Sequence, residues 1–145
     1  MKLPTKVAIS IIVLGGGWLA LSAMPSDTVV SRYETVQDAR ADLLFDRGWL
    51  PDILPASARK IRTENNLDLN TSEGEFHFSA ADFPKFASQM NFEVPATKQF
   101  GGLGVDRMRS EGFEVRAYSG ANSTWVFFCK ASEGYCRYKM RPREA

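Results

Sequence analysis

The chain has one histidine, two cysteines and a formal charge of only +1, and each scarcity removes a class of chemistry. With His77 as the sole imidazole, any Ser-His-Asp or Cys-His scheme must run through that residue. Two cysteines with six residues between them lack the further ligands that a structural zinc needs. Their spacing is also not the Cys-x-x-Cys of a dithiol redox centre. A near-neutral chain creates no field to gather nucleic acid, because domains with that role are clearly basic. Taking Lys2 and Lys6 out of the +1 total leaves −1 for everything after Met24. No internal repeat and no low-complexity tract is present. The glycine group Gly101-Gly102-Leu103-Gly104 has the outline of a phosphate-cradling loop but lacks the Lys-Ser/Thr that such a loop requires, so an ordinary loop is the better reading. No catalytic residue, cofactor or metal is therefore assigned.

What is present in excess is one apolar run. Val7 to Met24 contains no charge and follows Lys2 and Lys6. Its eighteen residues would span about 27 Å as a helix, close to the hydrocarbon thickness of a bilayer. Pro25 ends it, and the basic start places Asp27 onward outside the cytoplasm. The alternative is a cleaved signal with Ala20-Leu21-Ser22-Ala23 near the processing site; the length of the run and the lack of a strict Ala-x-Ala favour retention. Both alternatives put the rest of the chain outside the cytoplasm, in the periplasm if the cell is bacterial. Residues 1–24 are thus expected as an anchor or uncleaved signal, 25–34 as a tether in which Val29 and Val30 begin an edge strand, and 35–145 as one α+β domain.

Within that domain, Thr35 is a helix N-cap with Asp38 in the first turn, and the spacing of Val36, Ala39, Leu43 and Leu44 predicts a helix from Val36 to Arg47. Gly48 should end it, and Trp49 should return an aromatic side chain onto it. Pro51 and Pro55 bound a loop. A strand is expected from Arg59 to Leu67, a turn at Asn70–Gly74, and a second strand from Glu75 to Ser79 with Phe76 and Phe78 on one face. Short helices follow at 82–90 and 105–110. Strands at 113–118, 124–131 and 135–140 complete an antiparallel meander. The fold expected is α+β: an N-terminal transmembrane helix, then a small antiparallel sheet whose disulfide-linked C-terminal hairpin packs on short helices.

A turn centred between Ser132 and Glu133 sets Cys129 opposite Cys136, about 4.5 to 5.5 Å apart at the α-carbons, which a disulfide can bridge outside the cytoplasm. The same register puts Trp125, Phe127 and Cys129 beside Cys136, Tyr138 and Met140 on an apolar face. The opposite face carries Phe128, Lys130, Arg137, Lys139 and Arg141. That concentration of cations is either a solvated sheet face or a site for an anionic lipid, an anionic polymer or an acidic protein. Arg47-Gly48-Trp49-Leu50-Pro51 reads first as a helix stop with an aromatic plug; the rival reading is a recognition loop using Arg47 and Trp49. His77, near Glu73 and Glu75, reads as a strand-face histidine. Its rival role is in a small secreted or periplasmic hydrolase.

Tyr33-Glu34-Thr35, Asp38-Ala39, Phe45-Asp46-Arg47-Gly48-Trp49-Leu50-Pro51, Leu54-Pro55, Ser57-Ala58 and Ile61 together resemble a family of small bacterial membrane-associated proteins with a YbbD-type head domain. The resemblance covers Tyr33 to Phe78 and implies a bacterial source. It carries no activity and no catalytic residue. The function expected is a membrane-anchored binding or interaction module of the bacterial envelope.

Overall fold

The structure, a computed structural model, describes residues 27–95, 100 and 102–143. The expected anchor at 7–24 lies outside the described residues, and among those described no helix is long and apolar enough to cross a membrane. Six strands form one antiparallel sheet: β1 (Thr28–Thr35), β2 (Arg59–Asn66), β3 (Thr71–His77), β4 (Glu114–Ser119), β5 (Ser123–Lys130) and β6 (Tyr135–Pro142). Their spatial order is β1-β2-β3-β6-β5-β4. Two three-stranded meanders are thus joined at a central β3–β6 seam, so neither leaves its inner edge unpaired. Three short helices, α1 (Val36–Ala41), α2 (Phe83–Ala87) and α3 (Val105–Ser110), cover the faces. The α+β class and the small antiparallel sheet are as the sequence predicts.

The first face of the sheet carries the main core. Ile61, Phe76, Phe127, Cys136, Tyr138 and Met140 project from it toward Val36 and Ala39 of α1, the returning segment with Leu44 and Leu50, and Phe83 and Phe86 of α2. Phe86 meets Phe127 edge-on with ring centroids 5.2 Å apart, a geometry that aligns opposite parts of the ring quadrupoles. The buried Tyr138 hydroxyl lies 3.0 Å from Ser72 Oγ, which donates to Asn65 Oδ1, so these three groups satisfy one another, whereas Thr63 Oγ1 on the same face of β2 is buried without a partner among the described residues.

Cys129 faces Cys136 across β5 and β6 and is bonded to it, with the α-carbons 4.1 Å apart. The expected register therefore holds. The connection is a single 3₁₀ turn, Ala131–Glu133, closed by Gly134 in the left-handed region.

Three local expectations are corrected. Residues 28–34, expected as tether, are most of β1, whose Tyr33 pairs with Ile61. The helix expected to run to Arg47 stops at Ala41. Leu43 takes φ 58°, its N–H donates to the Arg40 carbonyl, and the Leu44 N–H reaches back to Ala39. That is a Schellman closure with leucine in the position glycine usually fills. It turns Leu44 inward and leaves Leu43 exposed, whereas a continued helix would carry Leu43, four residues after the buried Ala39, to the inward face. Gly48 then closes a second single turn in the same way, with Gly48 N–H to Phe45 and Trp49 N–H to Leu44.

The third correction concerns the β2–β3 turn. It lies at residues 67–70 rather than Asn70–Gly74, because Asn70 itself supplies the left-handed residue at φ 51°. Gly74 is a strand residue. A Cβ there would lie 2.0 Å from the Arg62 carbonyl oxygen, so its role is to admit a neighbouring backbone.

Candidate functional site

The second face of the sheet is divided. Over β4 and β5 it is apolar: Val115, Ala117, Val126 and Phe128 pack under Phe100, with Leu103, Val105 and Met108 alongside. β5 is consequently buried on both sides. Over β2, β3 and β6 the same face is charged, because alternation brings Arg62, Glu73, Glu75, Arg137 and Lys139 to it through the pairs Arg62↔Glu75, Glu75↔Arg137 and Glu73↔Lys139. Where the α3 layer stops and the charged half begins there is a cleft of about 360 Å³. Its floor is this charged group. Its wall is Leu103, Arg107 and Met108, with Phe128 at the base.

The charges in the cleft are unequally committed. Lys139 Nζ sits 3.2 Å from Glu73, and Arg62 is paired at 3.0 Å with Glu64. Glu75 accepts a hydrogen bond from the Tyr135 hydroxyl at 2.6 Å. Arg107 has only a distant Glu111 at 3.9 Å, and Arg137 is exposed with no ion pair among the described residues. Two guanidinium groups are therefore available at one cleft, beside an apolar wall. An arrangement of this kind can hold a carboxylate through forked hydrogen bonds while burying an adjacent apolar group.

The five residues expected on this face do not act as one surface. Arg137 and Lys139 line the cleft. Phe128 is 4% exposed and belongs to the second core, because α3 and its flanking loop cover it; it is not a free contact residue. Lys130 lies 4.8 Å over the Phe113 ring, and Arg141 donates to the Met140 carbonyl at the far end of β6. Arg62, Arg107, Leu103 and Met108 were not reached by sequence reasoning. The signal in β2 was present, since Arg62 and Glu64 alternate with the buried Ile61 and Thr63, but the partner opposite them was not.

The other candidates have their own places. Arg47 is tied to Asp42, donating to its carbonyl at 2.9 Å with its carboxylate 3.7 Å away, and Asp42 also accepts from the Tyr33 hydroxyl. Trp49 is half-buried against the core and its carbonyl accepts from Trp125 Nε1 at 3.1 Å, whereas Leu50 takes the fully buried position expected of Trp49. His77 packs against the Tyr135 ring at 5.1 Å, outside the lining of the cleft. Among the described residues no group of His, Cys, Asp and Glu could hold a metal ion.

Burial, and then the Glu75 carboxylate that accepts its hydrogen bond, push Tyr135 from an ordinary value of 10.0 up to about 12. Burial also raises Tyr138 strongly. Above pH 10 the unfolded chain loses the Tyr135 proton while the folded chain keeps it, so stability is full below pH 10 and falls as pH rises through about 12. The thermal midpoint should therefore decline above pH 10, and more shallowly in Tyr135→Phe, which keeps the ring against His77. Equal slopes in the two proteins would remove Tyr135 from this account; Tyr138, raised by burial, and Tyr33, raised by burial and by its hydrogen bond to Asp42, supply the decline that remains.

Residues 27–77 match the YbbD head domain family, as the resemblance in the Arg47–Pro51 region implied. No curated protein and no solved structure matches the chain. The matched segment coincides with the first meander, β1 to β3 with α1 and the double turn; the disulfide hairpin and the α3 wall of the cleft lie beyond it.

Proposed function

We propose that this chain, a YbbD head segment completed by a second meander, is a membrane-anchored binding module displayed outside the cytoplasm of a bacterial cell. Residues 7–24 are its anchor and the β3–β6 cleft its ligand site. The ligand proposed is an acidic segment of another envelope protein. The observation that carries this reading is the exposed Arg137, with no ion pair among the described residues, in one cleft with Arg107 and an apolar wall. The mixed lining argues for a protein segment over an anionic polymer: Glu73 and Glu75 would repel a continuous run of phosphates, whereas a peptide can set one carboxylate against the guanidinium groups and a side chain against Leu103 and Met108.

A hydrolase working through His77 has less support. The ring rests on Tyr135, and the Glu75 carboxylate is already engaged by the Tyr135 hydroxyl.

The test is titration of the labelled protein with a short Glu- and Leu-rich peptide, followed by amide chemical shifts. Shifts should centre on Arg107, Arg137 and Lys139. Because a charge-assisted hydrogen bond contributes roughly 1.5–3 kcal/mol, Arg137→Gln should weaken binding about tenfold or more while leaving the spectrum otherwise unchanged. Shifts confined to some other surface would dispose of the cleft as the site.

A further inference from the structure

Large apolar side chains left exposed by this fold are not scattered. Of the six among the described residues, Val29, Val30, Leu67 and Leu69 fall at one end of the sheet, where β1 begins and the β2–β3 turn projects. Leu67 and Leu69 are 57% and 66% exposed, and Val29 and Val30 stand beside them on an edge strand. The turn is fastened to the start of β1: the Leu67 N–H donates to the Asp27 carbonyl at 2.9 Å, and Thr28 pairs with Asn66. Single exposed apolar residues need no explanation, but a cluster at one end does.

Chain connectivity says what covers that cluster. Thr28 comes four residues after Met24, the last residue of the apolar run. Four residues reach at most about 14 Å, and the headgroup layer occupies about 5–8 Å of that. The start of β1, and with it the attached turn, is therefore held within about 10 Å of the headgroups whatever path the connection takes. We propose that the Leu67–Leu69 turn, with Val29 and Val30 beside it, is a lipid-contact element that seats this end of the sheet in the interface of the membrane crossed by residues 7–24. The inference rests on the anchor reading given above and adds to it a fixed orientation. With β1 rising from the bilayer, the β5–β6 turn and its disulfide point away. The cleft opens sideways, parallel to the membrane.

Charge does not drive this seating. Asp27 and Asp68 lie at the same end of the sheet, as do Arg141 and Arg143 on the last residues of β6 and just after it, so the local balance is near zero. The contact is apolar and should form on zwitterionic lipid.

The full chain is reconstituted in phosphatidylcholine vesicles, with the native disulfide oxidised first, and carries one spin label at a time through Leu69→Cys, Glu111→Cys or Ile12→Cys. Glu111 is exposed and precedes the opposite end of β4. Collision with oxygen should exceed collision with a water-soluble nickel chelate at position 69, and the order should reverse at position 111. A nickel-dominated label at 69 with an oxygen-dominated label at 12 would overturn the seating while leaving the anchor intact. Nickel dominance at position 12 as well would remove the anchor reading and the seating together. Leu69 is a solvent-exposed turn residue, so the substitution leaves the fold undisturbed.

Discussion

Gly134→Ala is expected to remove about 3–5 kcal/mol of stability, a large part of what a domain of this size possesses. Two penalties coincide there. Gly134 has φ 58°, where a β-carbon costs roughly 1–2 kcal/mol. A Cβ at this position would also lie 2.1 Å from the Phe78 carbonyl oxygen, and that atom belongs to backbone that cannot swing aside. The Phe78 N–H donates to the Gly134 carbonyl at 2.9 Å, so displacing one segment breaks the bond that links the disulfide hairpin to the end of β3. Gly48→Ala is the matched control. Gly48 has φ 81° but nothing within 4 Å of an added Cβ, and its loss should be only about 1 kcal/mol. Denaturant unfolding of the two variants checks the pair, and similar midpoints would show that the hairpin yields to the methyl group.

Phe76→Ala should cost about 3–5 kcal/mol through lost burial and the cavity it leaves. Phe76 is 0% exposed, pairs with Cys136 across the central seam, and has ring centroids 5.9, 6.1 and 6.2 Å from Phe78, Phe86 and Phe127. No rearrangement of neighbours fills the space, because Phe76 stands between the sheet's two meanders and α2. The comparison is Phe92→Ala. Phe92 is 63% exposed and meets chiefly the Arg116 guanidinium at 3.8 Å, a contact that contributes about 0.5–1 kcal/mol at exposed sites. Thermal midpoints that fell equally in the two variants would contradict the assignment of Phe76 to the core.

The pair also shows what a phenylalanine count leaves out. Phe76 and Phe78 declare themselves by alternating with Glu75 and His77, whereas Phe128 does not. Phe128 sits among Lys130 and the cations of β6 on what alternation makes a polar face, and it is buried because α3 and Phe100 cover that half of the sheet. Helix α3 was legible as a helix. Its landing place was not, since Met108 and the flanking Leu103 join a cluster drawn from two strands, Val115 and Ala117 of β4 with Val126 and Phe128 of β5, and no local periodicity encodes which face of that pair they cover.

Glycines show the same division. Gly48 and Gly134 act as turn residues in the left-handed region, which composition and position suggest. Gly74 stands beside Asn70-Thr71-Ser72-Glu73 and has the appearance of one more turn residue, yet it lies in β3 against the Arg62 carbonyl. A close approach between strands is a property of the pair.

Local order was determined by the sequence alone: the Thr35 cap, the Cys129–Cys136 register and the alternation of β3 and β6. In each of these the interacting groups are near neighbours in the chain, and stereochemistry permits few alternatives. The tertiary structure decided that β6 enters beside β3, that the second face divides into an apolar and a charged half, and that Arg62 and Arg107 join Arg137 at one cleft. Those facts depend on which strand edges meet, and an unpaired edge is satisfied equally well, residue by residue, by any strand of suitable length. Only the simultaneous burial of Phe76, Phe127 and Cys136 on one side and Phe128 on the other selects the arrangement that forms the site.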